Sequence, residues 1–297
     1  MGDGAPLARG ALFGGAFCRA GGGLVHVKGG SMHILVATGG AEHSQKAVTF
    51  AGLLARDTNA ALTLLTVRKP GHSEEAARAV LEEAQRALPP NLARVQTRIR
   101  EGHPAEEIVF ECEEGGYDLA VVGERQHHTL RTRFLLGSTA QRVVEHAPCP
   151  VVVAKGRVAP VRRLLLCEGL RTDAPLARRF MEQLPELVTL PLEITILHVI
   201  SQLVITPHDP SVEDSETVQL ARRILASDRQ LLDKRHAHVQ ERLRYGLVVE
   251  EIIAEAAWDY DMLVLGAHPG AGWRRILLDD ITHDVLVKAP APVLVVR

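Results

Sequence analysis

No C-x-x-C pair, no histidines at zinc-finger spacing and no excess of charge of either sign occur in this chain. Cys18, Cys112, Cys149 and Cys167 are spread too widely for a disulfide framework or a zinc site, and fit reduced thiols acting as small buried hydrophobes. Thirty-four basic against thirty-six acidic side chains leave a net charge of -2, too weak a field to hold nucleic acid or an anionic membrane surface. No apolar run approaches the roughly 18 residues that a membrane helix requires. Also missing are a G-x-S-x-G elbow, a Walker lysine and a nucleophile beside a base, so nothing makes a positive case for an efficient enzyme, and no residue is assigned to catalysis. His127 and His128 lack a carboxylate or cysteine at ligand spacing and read as exposed loop residues, not metal ligands. These absences predict a cytoplasmic protein that touches neither nucleic acid nor membrane.

What is present is enough for two globular domains: 297 residues, 46% of them hydrophobic. Residues 1–31 are rich in glycine and alanine without a sustained period and are expected to be a disordered extension. Met32, directly before a strand pattern, is a candidate natural start. From there one pattern occurs twice. RIREGHPAEEIVFECEEGGYDLAVVGER, from Arg98, matches RLRYGLVVEEIIAEAAWDYDMLVLGAHP, from Arg242; HAPCPVVVAK matches KAPAPVLVVR, and HILVATGG matches RLLLCEGL. Gly156 and Pro160 punctuate the join, giving expected domains at 32–157 and 161–297.

Within the first copy, HILVAT is a short aliphatic strand, and EHSQKAVTFAGLLARDT has helical apolar spacing. ALTLLTV, SEEAARAVLEEAQRAL, RVQTRIR, PAEEIVFECEEG, DLAVVG, STAQRVVEHA and PVVVAK continue the alternation of strand and helix, with Pro104 in the first turn of the third helix. The second copy repeats this order and adds a long amphipathic stretch from about Val212 to Arg235. Such alternation predicts two doubly wound five-stranded parallel sheets in tandem. Glu106-Glu107 and Glu250-Glu251 fall in first turns, where the helix dipole favours them, and Trp258 and Trp273 read as packing residues.

In such a sheet a ligand lies beyond the carboxyl ends of the strands, where the strand order reverses. That places Thr38 and Gly39, Val67, and the segment from Gly123 to Thr139 around one crevice. Gly137, Ser138 and Thr139 open a helix there, and its free amides suit either a cap or an anion. His103 and Asp118 do not form a catalytic pair, because Asp118 opens its strand at the opposite end.

GERQHHTLRTRFLLGSTAQRVVEHAPCPVVV resembles the signature segment of the universal stress protein family, whose nucleotide-binding members carry G-x2-G-x9-G-S/T between the fourth strand and fourth helix. The resemblance spans both halves, from His33 to Lys155 and from Arg162 to Arg297. It implies an adenine-nucleotide alpha hydrolase-like fold, bound ATP in some members, dimerisation commonly through the last strand, and pairing of the two halves of a tandem chain; a homodimer of the whole chain is open. Carried over, Gly123, Gly137, Ser138 and Thr139 match the signature. Gln126 stands at its second glycine, with ten residues instead of nine between it and Gly137, and Gly39 stands at the family's acidic nucleoside contact. Arg125, His127, His128, Arg131 and Arg133 surround the altered loop and are positioned to restore charge.

In the second half, counting back from Pro290 places Asp279 and Asp280 where Gly137 and Ser138 stand, and two carboxylates there oppose a phosphate. Glu168 is expected at that half's acidic position. The leading expectation is therefore an ATP-binding stress-response regulator with Mg²⁺-bound nucleotide in the first half only. Its phosphates would lie on Gly137, Ser138, Thr139, Gly123 and Arg125, and its base between Thr38-Gly39 and Val67. The alternatives are a scaffold of the same fold without nucleotide and, with no residue to name for it, a nucleotide-dependent transferase.

Overall fold

The computed structural model describes residues 31–124, 136–169, 175–201, 216–233, 238–269 and 276–297. Cys18, Arg125, Gln126, His127, His128, Arg131, Arg133 and Trp273 lie outside these residues. The first half runs β1 (His33–Ala37), α1 (Glu42–Thr58), β2 (Ala61–Arg68), α2 (Glu74–Arg86), β3 (Arg94–Glu101), α3 (Pro104–Gly115), β4 (Leu119–Gly123), α4 (Ser138–His146) and β5 (Val151–Ala154). The second runs β6 (Arg163–Cys167), α5 (Leu176–Gln183), α6 (Pro185–Val188), β7 (Glu193–Ser201), α7 (Glu216–Asp233), β8 (His238–Gly246), α8 (Val248–Ala256), β9 (Met262–Gly266), the two-residue strands β10 (His268–Pro269) and β11 (Ile276–Leu277), α9 (Asp280–Lys288) and β12 (Val293–Val296).

Local chemistry sets these boundaries. Asn59 ends α1 in the left-handed region at φ 54°, and the Ser73 side chain caps α2 by accepting the Ala76 amide. Pro104 starts α3, and Gly116 ends it at φ 62°. Each half forms five parallel strands, in the orders β3-β2-β1-β4-β5 and β8-β7-β6-β9-β12. Strand side chains alternate between two apolar layers. Ile34 and Val36 pack with α1 and α2, whereas Leu35 packs with α3 and α4, so helices cover both faces. The layers continue into the second half, where Phe180 and Leu225 join the first layer and Ile252 and Val285 the second.

The two sheets join edge to edge. β12 runs antiparallel to β5, with Val293 opposite Val153 and Val295 opposite Val151, giving one ten-stranded sheet. Two basic residues cross this seam reciprocally. Lys155 Nζ donates to the carbonyls of Leu286 (2.7 Å) and Val287 (2.8 Å) at the end of α9. Arg297 donates to the carbonyl of Val144 (3.0 Å) at the end of α4 and to that of Cys149 (2.8 Å) just beyond the helix. Through Leu286, Val287 and Val144 both satisfy carbonyls that a helix end leaves unpaired and complement its negative dipole. Gly156 turns the chain at φ 58°, and a Cβ there would collide with the Pro290 carbonyl oxygen.

No described helix is long and apolar enough to cross a membrane. Cys112 and Cys149 are buried free thiols.

Candidate functional site

A cavity of about 470 Å³ lies at the carboxyl ends of β1, β2 and β4, on the side where the strand order reverses. It gathers Thr38, Gly39, Val67, Gly123, Gly137, Ser138 and Thr139. Arg125 and Gln126, the remaining residues expected at the site, lie outside the described residues. His43 and Lys69, which the sequence did not single out, also line it, and no carboxylate does so among the described residues.

The loop after β1 is held from inside. Thr38 is 4% exposed; its amide donates to the Leu65 carbonyl (2.8 Å), its hydroxyl donates to Ser44 Oγ (3.3 Å), and the same hydroxyl accepts the Gly40 amide (3.2 Å). Ser44 Oγ accepts the Gly39 amide (3.3 Å) and donates to the Ala41 carbonyl (2.8 Å). The Thr38 hydroxyl is thus a loop fastener, and a ligand would meet mainly backbone and the apolar wall of Ala37, Leu65 and Val67. A Cβ on Gly39, by contrast, would meet nothing within 4 Å. One on Gly123 would collide with the His43 carbonyl, so this glycine serves the close packing of α1 on β4 as well as the signature.

At α4 the helix cap is Gly137, at φ -57° and ψ 136°, with no side-chain cap hydrogen bond. Ser138 and Thr139 are the first two helical residues, so neither is the cap that a sequence pattern of Ser and Thr suggests. The first-turn amides of α4 therefore open toward the cavity, where the helix dipole places partial positive charge.

The second half closes the same position. Asp279 caps α9, and its carboxylate accepts the Thr282 amide at 2.7 Å. Glu168 requires a correction. Its amide donates to the Leu197 carbonyl as Thr38 donates to Leu65, so it occupies the Thr38 position, and Gly169 matches Gly39. The strand ladder and the following glycine agree on this register, which leaves Glu168 one position before the counterpart of Gly39. Glu168 also points inward: Oε2 accepts the Leu176 amide at 2.7 Å, closing the start of α5.

Glu168 lies against Asp228 of α7, which is 1% exposed. Burial, and then the neighbouring Asp228 carboxyl, push the Glu168 carboxyl up to about 8. His198 Nδ1 lies 2.8 Å from the Glu168 carbonyl, which can only accept, so Nδ1 carries the proton, and burial holds this ring neutral. A carboxyl whose pKa is higher folded than unfolded keeps a proton that the unfolded chain has lost. Stability therefore falls as pH rises from the ordinary range, near 4.5, to about 8, and levels off above. Melting curves across this window should show a Glu168-dependent loss on the order of 2–4 kcal/mol, which Glu168→Gln removes. Equal slopes in the two proteins would refute the raised Glu168 pKa.

Other residues read from the sequence have structural roles. Asp118 Oδ2 accepts the His33 amide (2.9 Å), and Asp261 does the same for Arg162 and Arg163. Glu107 pairs with Arg100 at 2.7 Å and Glu251 with Arg244 at 2.9 Å, a strand-to-helix network beyond any dipole effect. Trp258 is 68% exposed and is not a packing residue. Among the described residues no group of three His, Cys, Asp or Glu side chains could hold a metal ion.

The family model described as the universal stress protein family matches residues 31–155 and again residues 174–297. A universal stress protein of Mycolicibacterium smegmatis is 27% identical over 288 residues, 89% of this chain and 96% of that protein. One from Thermus aquaticus is 31% identical over 134 residues, 41% of this chain and 97% of its own length. In fold, the chain is similar to the crystal structure of a universal stress protein from Archaeoglobus fulgidus, with a TM-score of 0.66 at 19% identity, covering 90% of this chain and 98% of that one.

Proposed function

The chain belongs to the universal stress protein family, carrying its domain twice in tandem, and from that premise we propose that it binds ATP or a related adenine nucleotide in its first half and uses occupancy to alter its shape or partners. The observation that carries this reading is the contrast between the two matching helices. α4 opens uncapped into a cavity of about 470 Å³, whereas α9 is closed by Asp279. The size suits a small ligand, and the lining has basic but no acidic side chains among the described residues. Phosphates would lie on the amides of Ser138 and Thr139, with Gly137 allowing close approach and Arg125 adding charge from the adjoining loop. The base would rest on Ala37 and Val67, beside Gly39.

Mg²⁺, when it accompanies the nucleotide, offsets phosphate charge. The lining fits a metal carried in by the phosphates: Ser138 and Thr139 offer hydroxyl oxygens, and no carboxylate is at hand to hold the ion alone. The protein's own part is to bind and orient. On this reading the seam of β5 and β12 is the intramolecular counterpart of a dimer interface, and the protein works in the cytoplasm.

The scaffold reading draws support from Gly39 and from the engaged Thr38 hydroxyl, which together leave the nucleoside side with little polar recognition. Calorimetry with ATP and Mg²⁺ separates the two. Because a side chain at Gly39 meets open space, Gly39→Asp should fit and strengthen binding about tenfold by restoring one hydrogen bond to the nucleoside. Absence of binding by both proteins would establish the scaffold.

A further inference from the structure

In the second half a groove lies at the amino ends of β6, β7 and β8 beside α8, its counterpart in the first half runs along β3 and α3, and the repeat allows the two to be compared position by position. Arg98 and Arg100 of β3 pair in register with Leu65 and Val67, as Arg242 and Arg244 of β8 pair with Leu197 and Val199. Tyr117 donates to Glu111 (2.8 Å) as Tyr260 donates to Glu255 (2.9 Å). Three residues beyond these glutamates the halves diverge. Glu114 gives Arg100 a third carboxylate at 2.8 Å, whereas the matching residue is the exposed Trp258.

The second-half groove thereby has one carboxylate fewer at this position. The first-half groove sets two guanidiniums against Glu101, Glu107, Glu111 and Glu114. The second-half groove, about 410 Å³, is lined by Arg163, Arg242, Arg244, Glu193 and Glu255, with Glu251 beside Arg244 and Asp259 beside Arg163. Arg163 stands where the first half has His33, with its guanidinium 5.4 Å from the centre of the Tyr260 ring. Its carboxylate partners, Glu193 and Asp259, are 3.7 Å away. Arg242 reaches Glu255 only at 3.9 Å, and Glu255 is already held by Arg244 at 2.7 Å and by Tyr260. Arg242 thus keeps hydrogen-bond donors for an incoming anion, beside an indole face that the chain leaves in water.

We propose that this groove binds a small aromatic carboxylate, its ring against Trp258 and the Arg163–Tyr260 layer and its carboxylate on Arg242. Flat rings and guanidiniums stack well, and Arg pairs with carboxylates through two parallel hydrogen bonds. The site is separate from the crevice and does not depend on nucleotide binding.

Calorimetry with benzoate and 2-naphthoate tests it, with acetate supplying charge without a ring and benzamide a ring without charge. The aromatic anions should bind once per chain and at least about tenfold more tightly than either control. Trp258→Glu installs the residue that the first half already folds with, and Arg242→Gln removes the anion's partner. Each should weaken binding at least about tenfold with an unchanged melting temperature, while Gly137→Asp leaves it intact. Absence of benzoate and naphthoate heat up to about 10 mM, or equal binding by the Trp258→Glu protein, would overturn the proposal.

Discussion

Gly137→Asp is expected to abolish nucleotide binding and, at the same time, to stabilise the protein. The substitution copies into α4 the cap that α9 already carries, where Asp279 accepts the Thr282 amide at 2.7 Å. Gly137 has a φ of -57°, so aspartate enters without backbone strain. A carboxylate at this cap should add about 0.5–1 kcal/mol through its hydrogen bond and the helix dipole, raising the melting temperature by roughly 1–4 °C. It would also occupy one amide that the phosphates need and repel the rest of the anion. Losing one or two charge-assisted hydrogen bonds weakens affinity at least about 100-fold. Calorimetry and thermal melts read the two effects separately. A protein that melts higher and still binds ATP as the parent does would place the phosphates elsewhere, and Ser138→Asp, one residue further in, should repeat the loss of binding.

The second large effect is expected at the seam. Lys155 is 6% exposed; its ammonium group meets the Glu124 carboxylate at 2.8 Å and two carbonyls of α9. Burial draws its pKa down, and Glu124 counters this by favouring the charged form. Lys155→Met keeps the aliphatic stem but leaves the Glu124 carboxylate and the ends of α9 without their donor. Removing one partner from a buried ion pair typically costs about 3–5 kcal/mol, so the melting temperature should fall by roughly 6–15 °C. The double variant Lys155→Met, Glu124→Gln should recover part of that loss, because the stranded charge is gone. A single variant that melts with the parent would mean that the seam is held by strand pairing alone. Glu124 adjoins Gly123 at the crevice, so this contact also links the proposed nucleotide site to the far half.

Much of this architecture was legible because aliphatic strands and amphipathic helices announce themselves by period. HILVA, ALTLLTV and VVVA are buried on both faces, and the spacing of Phe50, Ala51 and Leu54 sets one face of α1. Counting back from Pro148 and Pro290 located the starts of α4 and α9, since a proline that ends a helix is a fixed landmark. Glu168 was misplaced because it was matched to the family's acid by residue type, although the pairing of HILVATGG with RLLLCEGL already sets it on Thr38. Trp258 was misread because hydrophobicity alone does not tell a buried indole from an exposed one. The links from Lys155 to Leu286 and from Arg297 to Val144 join residues more than 100 positions apart, beyond any local pattern. The short α6, β10 and β11 are too brief to have a period.

The central claim is that the first-turn amides of α4 receive phosphate. A crystal structure of the full chain grown with Mg²⁺ and a non-hydrolysable ATP analogue tests it most directly. The account predicts phosphate oxygens within hydrogen-bond distance of the Ser138 and Thr139 amides, with the α9 end of the second half still closed by Asp279. Nucleotide bound elsewhere, or those α4 amides occupied by the protein's own atoms, would contradict it.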